Sequence, residues 1–272
     1  MAAISSRSDW RGHGLGPMVR RMSFRTVLSG LALATALVAG LAPAQAGARR
    51  PVVVELYTSQ GCSSCLPADA LLAQFAATRH DVLAMSLPIT YWDMLGWKDT
   101  LASEADTRRQ KAYAQIMGRG GVYTPQMVID GVNDVVGSKD VQVNAAIGAR
   151  EADEQNISVA LSADRRAVHV SVGPDSEHGD NNATIWFFRI LPQASVSVTG
   201  GENSGRTLAY KNVVRDVRAV GMWKGQPVSL DLPREEVTGK SRDSIVVVVQ
   251  QGGYGRIVGA AMIDHPDYMY IR

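Results

Sequence analysis

Pro51-Val-Val-Val-Glu-Leu-Tyr57, Cys62-Ser63-Ser64-Cys65 and Leu66-Pro-Ala-Asp-Ala-Leu-Leu-Ala-Gln-Phe75 follow one another within 25 residues, and this stretch decides the reading of the chain. The first block is an apolar, β-branched strand. The last is a helix with a proline at its opening. The cysteines between them are the only two among 272 residues. Two thiols spaced this way at a helix N-terminus are arranged for thiol–disulfide exchange. Unpaired backbone N–H groups and the positive end of the helix dipole favour a thiolate on Cys62. Cys65, one turn on, can close or resolve a disulfide. Cys62 is therefore expected to be the nucleophile, nearer solvent and ahead of the first helical turn, with Cys65 as the resolving thiol. Ser63 and Ser64 either cap N–H groups and donate to the Cys62 sulfur, or simply fit a tight turn.

Working outward, Asp81 to Leu87 is a second apolar strand, ended by Pro88. The aromatic stretch Tyr91-Trp92-Asp93-Met-Leu-Gly-Trp97 follows. A helix is predicted from Ser103, as N-cap, to about Met117, with Glu104 and Asp106 in its first turn and Gly118 after its end. Thr124-Pro125 then leads into an apolar strand, Asp130-Gly131 marks a hairpin turn, and Val132 to Val136 is the return strand. A last helix runs from about Lys139 to Ala152. Strands and helices alternating in this order predict an α/β unit over residues 47–154.

A strand, Cys-x-x-Cys at a helix start, a later Thr-Pro before a strand, an Asp-Gly hairpin and a final helix together resemble the thioredoxin fold. The resemblance implies that Pro125 is a cis proline packed against the cysteines and that Thr124 faces a bound substrate. A closer resemblance is to a family of exported bacterial proteins of unknown function (domain of unknown function 1223), carried by Glu55-Leu-Tyr-Thr-Ser-Gln-Gly-Cys-Ser-Ser-Cys65, Pro67-Ala-Asp69, Tyr91-Trp-Asp93, Gly96-Trp-Lys-Asp99, Val122-Tyr-Thr-Pro-Gln-Met127 and Gly201-Glu-Asn203. It implies a thioredoxin-like domain followed by a β-rich one. The chain departs from that pattern at Leu66-Pro67, where the family has Pro-Pro, and at Pro88 and Thr90, where it often has His and Asp.

Three further features bear on chemistry. Glu55 interrupts an apolar strand expected to be covered on both faces. Buried there, it either accepts a proton from Cys65 or pairs with an Arg or Lys. Tyr91, Trp92 and Trp97 either line a groove that holds an extended peptide over the cysteines or pack their loop onto the core. The five histidines (13, 80, 169, 178 and 265) show no ligand spacing near the cysteines, and zinc would want four ligands. No resident metal or organic cofactor is expected. Copper handling through the two sulfurs, with Met127, is a weaker third reading.

From residue 155 the periodicity changes. Strands are expected over 156–162, 167–172, 183–191, 194–199, 207–220, 227–232, 244–250 and 256–263, with turn signals at Gly200-Gly201, Pro233 and Gly252-Gly253. About eight strands without helices predict an all-β antiparallel sandwich-like domain over residues 155–272. His169 falls on a strand as a packed or surface residue, and the polar loop 200–205 is available for binding.

The first 46 residues carry a targeting signal. Arg20-Arg21 and Arg25 precede the apolar run Val27 to Leu41, and Ala44-Gln45-Ala46 offers a small-x-small cleavage site. The run is short for a membrane span, which needs ~20 predominantly apolar residues. It predicts an exported, periplasmic or secreted protein with no stable membrane insertion after cleavage, an uncleaved anchor being the alternative. Arg20-Arg21-Met-Ser-Phe24 hints at twin-arginine export, and Met18 and Met22 are candidate translation starts. A net charge of +2 without a Lys/Arg block argues against nucleic acid. The leading expectation is an exported thiol–disulfide oxidoreductase acting on a protein or small-molecule thiol or disulfide. Its alternative is a binding or scaffold protein whose Cys62–Cys65 disulfide is inert. In an oxidising compartment a structural disulfide is the plainer use of two cysteines, although so small a loop gains little entropy from closure.

Overall fold

The computed structural model describes residues 49–152, 156–175, 182–238 and 243–264. The expected signal segment lies outside them. The described residues belong to one compact unit. Its elements run β1 (Val52–Thr58), α1 (Leu66–Thr78), β2 (Val82–Pro88), α2 (Glu104–Ile116), β3 (Gln126–Ile129), β4 (Asn133–Val136), α3 (Asp140–Glu151), β5 (Val159–Ala163), β6 (Ala167–Val172), β7 (Asn182–Ser197), β8 (Thr207–Lys224), β9 (Val228–Pro233), the one-turn α4 (Arg234–Val237), β10 (Ser244–Gln251) and β11 (Ile257–Ile263).

Eight strands form one mixed sheet in the order β11-β10-β7-β8-β2-β1-β3-β4, and β5-β6-β9 form a separate antiparallel sheet. β1 and β2 are parallel and wholly buried, as expected of strands covered on both faces. Alternation along β1 divides its side chains. Val52, Val54 and Leu56 pack with Ala68, Leu72 and Phe75 of α1 and with Val143 and Ile147 of α3. Val53 and Tyr57 point the other way, into a core with Met85, Leu87 and Tyr113. Ser103 caps α2 as expected, its hydroxyl accepting from the N–H of Asp106. The β3–β4 turn has Asp130 and Gly131 at φ +49 and +69, the paired left-handed conformation of a two-residue hairpin.

The expected division near residue 155 does not separate two sheets. β7, β8, β10 and β11 extend the first sheet through a short parallel contact, Ser86 with Val213. The side chain of Asn212 reinforces it by donating to the carbonyl of Ala84. The sheet curls so that both halves share one core: Val53 and Met85 lie in the same cluster as Phe188, Val246 and Ile257. The three-stranded sheet packs against the far half of the large one. There Val168, Val170 and Leu232 meet Phe187, Trp223 and Val247. The expected strands 183–191 and 194–199 are one strand, β7, running through Pro192. Its pairing with β10 ends at Ile190, so Pro192 sits where β7 has become an edge, and its missing N–H costs no ladder bond.

Candidate functional site

Cys62 and Cys65 are joined in a disulfide with Cα atoms 5.4 Å apart. Cys62 is extended (φ −94°, ψ 108°) and precedes a 3₁₀ turn, Ser63–Cys65, that runs on into α1. The start of the helix therefore faces the pair. Thr124 brings the neighbouring strand to it. Its hydroxyl donates to Cys62 Sγ at 3.4 Å while accepting from Trp92 Nε1 at 2.8 Å. Because an indole only donates, the Thr124 oxygen must accept there, which leaves its own hydrogen for the sulfur. The Ser64 hydroxyl also lies 3.4 Å from Cys62 Sγ. The Thr124–Pro125 peptide bond is cis.

The expectation that Cys62 is nearer solvent is corrected. Both cysteines are 0 % exposed, although Ser63 and Ser64 are open. Two loops close over them. In the first, Trp92 packs on Gly61, and Trp97 Nε1 donates to Gln60 Oε1 at 2.8 Å. In the second, the tip of the β7–β8 hairpin, Asn203 is wholly buried and donates from Nδ2 to the Gln60 carbonyl at 3.0 Å. Glu202 Oε2 accepts from the Ser63 backbone N–H at 3.0 Å. Gly200 and Gly201 let this tip lie against Gly96 and Trp97: a Cβ at Gly200 would meet the Gly96 carbonyl at 2.5 Å. Asp99 fastens the same corner by accepting from the N–H groups of Gln60, Leu101 and Ala102. Tyr91 packs against the core with its hydroxyl buried, and burial pushes its pKa up to about 12. The three aromatics thus pack, and the two tryptophans also hold the cysteine loop and Thr124 in place.

Glu55 is the second correction. Alternation along β1 puts it on the face opposite α1, so it does not serve Cys65. It forms a bidentate pair with buried Arg109, at 2.7 and 2.8 Å, and accepts from the hydroxyls of Tyr57 and Tyr113 at 2.9 Å each. Gln250 joins this network from β10. Of the two readings open from the sequence, the ion pair is the one the structure has. Met127 is likewise wholly buried in the core under α1 and α3. Among the described residues no group of three or more His, Cys, Asp or Glu is placed to hold a metal ion. His169 lies on the surface, with its ring between Asp231 and Asp164.

A buried acid does stand on the helix face of Cys65: Asp69, four residues on. It is 8 % exposed, and neither carboxyl oxygen meets a hydrogen-bond partner among the described residues. Burial pushes its pKa up to about 8, and the Asp99 charge adds to the shift. The Thr58 hydroxyl beside it eases the shift without reaching hydrogen-bond geometry. Glu202 is the opposite case. It is open to solvent, and the Ser63 N–H holds its carboxyl below the usual range. The i, i+4 spacing of Cys65 and Asp69 was available in the sequence. The contacts of Glu202 and Asn203, more than 130 residues from their partners, had no local signal. A cleft of about 800 Å³ lined by residues including Arg49, Arg79, His80 and Met262 lies elsewhere and is not lined by the cysteines, Trp92 or Thr124. No helix among the described residues is long and apolar enough to cross a membrane.

No match is found among curated proteins. The crystal structure of protein AGR_C_4864 from Agrobacterium tumefaciens is similar at 32 % identity and a TM-score of 0.71, over 81 % of this chain and 96 % of that one. HBP35 of Porphyromonas gingivalis is similar in fold alone: 10 % identity, TM-score 0.57, over 80 % of this chain and 76 % of that one. The family described as "Protein of unknown function (DUF1223)" matches residues 53–250. With that match spanning most of the chain, the protein belongs to the DUF1223 family.

Proposed function

We propose that the protein is an exported thiol–disulfide oxidoreductase built on a thioredoxin-like frame and acting through Cys62 and Cys65 on a protein or small-molecule thiol or disulfide. The observation that carries this is the Thr124 hydroxyl aimed at Cys62 Sγ. Trp92 holds its orientation, and the first turn of the helix lies beside the same sulfur. Hydroxyl and N–H donors at a sulfur stabilise its thiolate, the form in which Cys62 leaves the mixed disulfide and, in the reverse direction, attacks a substrate disulfide. The β1-α1-β2 unit with β3 and β4 antiparallel beside β1 supports the thioredoxin-like frame. Substrate thiolate attacks Cys62, the Cys62–Cys65 bond breaks, and Cys65 leaves with the electron pair. Asp69, on the same helix face and protonated near neutral pH, is placed to return a proton to it. A second thiol then displaces Cys62, and the protein is left with two thiols. The reverse sequence oxidises a dithiol substrate.

The burial of both sulfurs favours a second reading, a binding or scaffold protein with an inert disulfide. Trapping separates the two. An exchange protein loses activity as Cys62→Ser and accumulates a mixed disulfide as Cys65→Ser in extracts of the exporting cell. A scaffold keeps its partners in both variants and traps none.

A further inference from the structure

The cover over the cysteines is built from opposite chemistries. Asn203 and Trp97 hold it through neutral hydrogen bonds to Gln60. Glu202 brings a full, solvent-exposed negative charge to the backbone N–H of Ser63, the residue next to Cys62. No basic side chain pairs with Glu202 among the described residues. Asp69 is buried and largely protonated near neutral pH, and Asp99 is buried among N–H groups. The charge that an approaching thiol meets at the open edge, beside Ser63 and Ser64, is therefore that of Glu202.

We propose that Glu202 is a specificity-determining residue for the exchange proposed above, on which this inference rests. Its carboxylate guards the route to Cys62 and selects neutral or cationic thiols and disulfides over those with a negative charge beside the sulfur. In the opening step an incoming thiolate RS⁻ attacks Cys62 Sγ, the Cys62–Cys65 bond breaks, and Cys65 leaves as a thiolate that is then protonated. A second RS⁻ attacks the substrate sulfur of the mixed disulfide, the bond to Cys62 Sγ breaks, and RSSR and the Cys62 thiolate result. Two electrons pass from two thiols to the protein. Any group carried by R enters the field of Glu202 at the first attack. A single exposed charge about 6–7 Å away changes such an encounter roughly threefold in either direction at low salt. A cationic and an anionic thiol should then differ by about tenfold.

The test is reduction of the oxidised full chain by cysteamine (cationic), 2-mercaptoethanol (neutral) and 3-mercaptopropionate (anionic). Rates are compared at equal thiolate concentration and low ionic strength, each divided by the rate of the same thiol with an uncharged small-molecule disulfide, which removes the difference in intrinsic nucleophilicity. Glu202→Gln serves as the variant because an amide oxygen still accepts from the Ser63 N–H while the charge is gone. The wild type should reduce in the order cationic, neutral, anionic with roughly tenfold between the extremes. Glu202→Gln should bring that ratio to within about twofold, and salt near 1 M should do the same to the wild type. A wild type that reacts with all three thiols at a ratio unchanged by the substitution overturns the inference and leaves the exchange reading standing. A native wild type that reacts with none of the three, and is reduced only once unfolded, overturns the exchange reading itself and this inference with it.

Discussion

Replacing Asp69 by Asn should stabilise the protein, and by more at higher pH. The folded protein keeps the Asp69 proton up to about pH 8, against 3.8 for the ordinary side chain. Between those values the folded state binds a proton that the unfolded state has released. The folded-state pKa is raised, so this contribution to stability is fully present below about pH 4 and is lost as pH rises towards 8. At about 1.4 kcal/mol per pH unit, the cost of keeping Asp69 neutral is about 2 kcal/mol at pH 5 and about 4 kcal/mol at pH 7. Asparagine has similar shape and polarity and no proton to retain. Urea unfolding of wild type and Asp69→Asn, followed by tryptophan fluorescence with the disulfide intact, should show the variant gaining roughly 2–3 kcal/mol more at pH 7 than at pH 5. Asp106 is shifted the same way by burial, but it is present in both proteins and cancels in the comparison. An equal change at both pH values, or a loss of stability that deepens as pH rises, would mean that Asp69 is ionised and paired in the fold. It would then no longer be a candidate to return a proton to Cys65.

Glu55→Gln should destabilise the fold by about 3–5 kcal/mol, because Arg109 is left as a buried charge without its partner. The thiol pKa values of the reduced protein should stay where they were, since Glu55 lies on the other face of the sheet. Gly131→Ala should lower the thermal midpoint measurably. The new Cβ would stand 2.1 Å from the Gly255 carbonyl on a backbone with φ +69, and both the overlap and the left-handed conformation count against it. Thr124→Val should raise the Cys62 thiol pKa of the reduced protein by about one to two units, the worth of a hydrogen bond to a charged group, whereas Thr124→Ser should restore it. Thiolate absorbance during pH titration reads both.

The run β1-α1-β2-α2-β3-β4-α3 was legible because each element carries its own period and its own stop. Pro88 ends β2, Ser103 opens α2, and Asp130-Gly131 turns β3 into β4. What the pattern does not encode is which strand lies beside which. A period of two says that β8 has two faces, but nothing about joining β2 at Ser86 and Val213. The β-rich half therefore read as a separate domain, when most of its strands complete the first sheet. Pro192 misled for a related reason. It reads as a strand break unless the strand is known to be an edge at that point. At the site, the cysteine spacing and the Thr-Pro signal marked the disulfide and the residue whose hydroxyl meets it. The role of Glu55 depended on which face of β1 it takes and on the partner it meets there, Arg109, 54 residues away. The fastening of the cysteine loop at Gln60 and Ser63 depended on Asn203 and Glu202, which only the folded hairpin brings there.

The central claim is that Cys62 and Cys65 exchange electrons with other thiols, and the equilibrium reduction potential of the pair in the folded protein tests it most directly. Equilibration in glutathione and dithiothreitol buffers should give a value between roughly −270 and −120 mV, the range of exchange-active pairs. A value below about −300 mV would mark a structural disulfide and contradict the account.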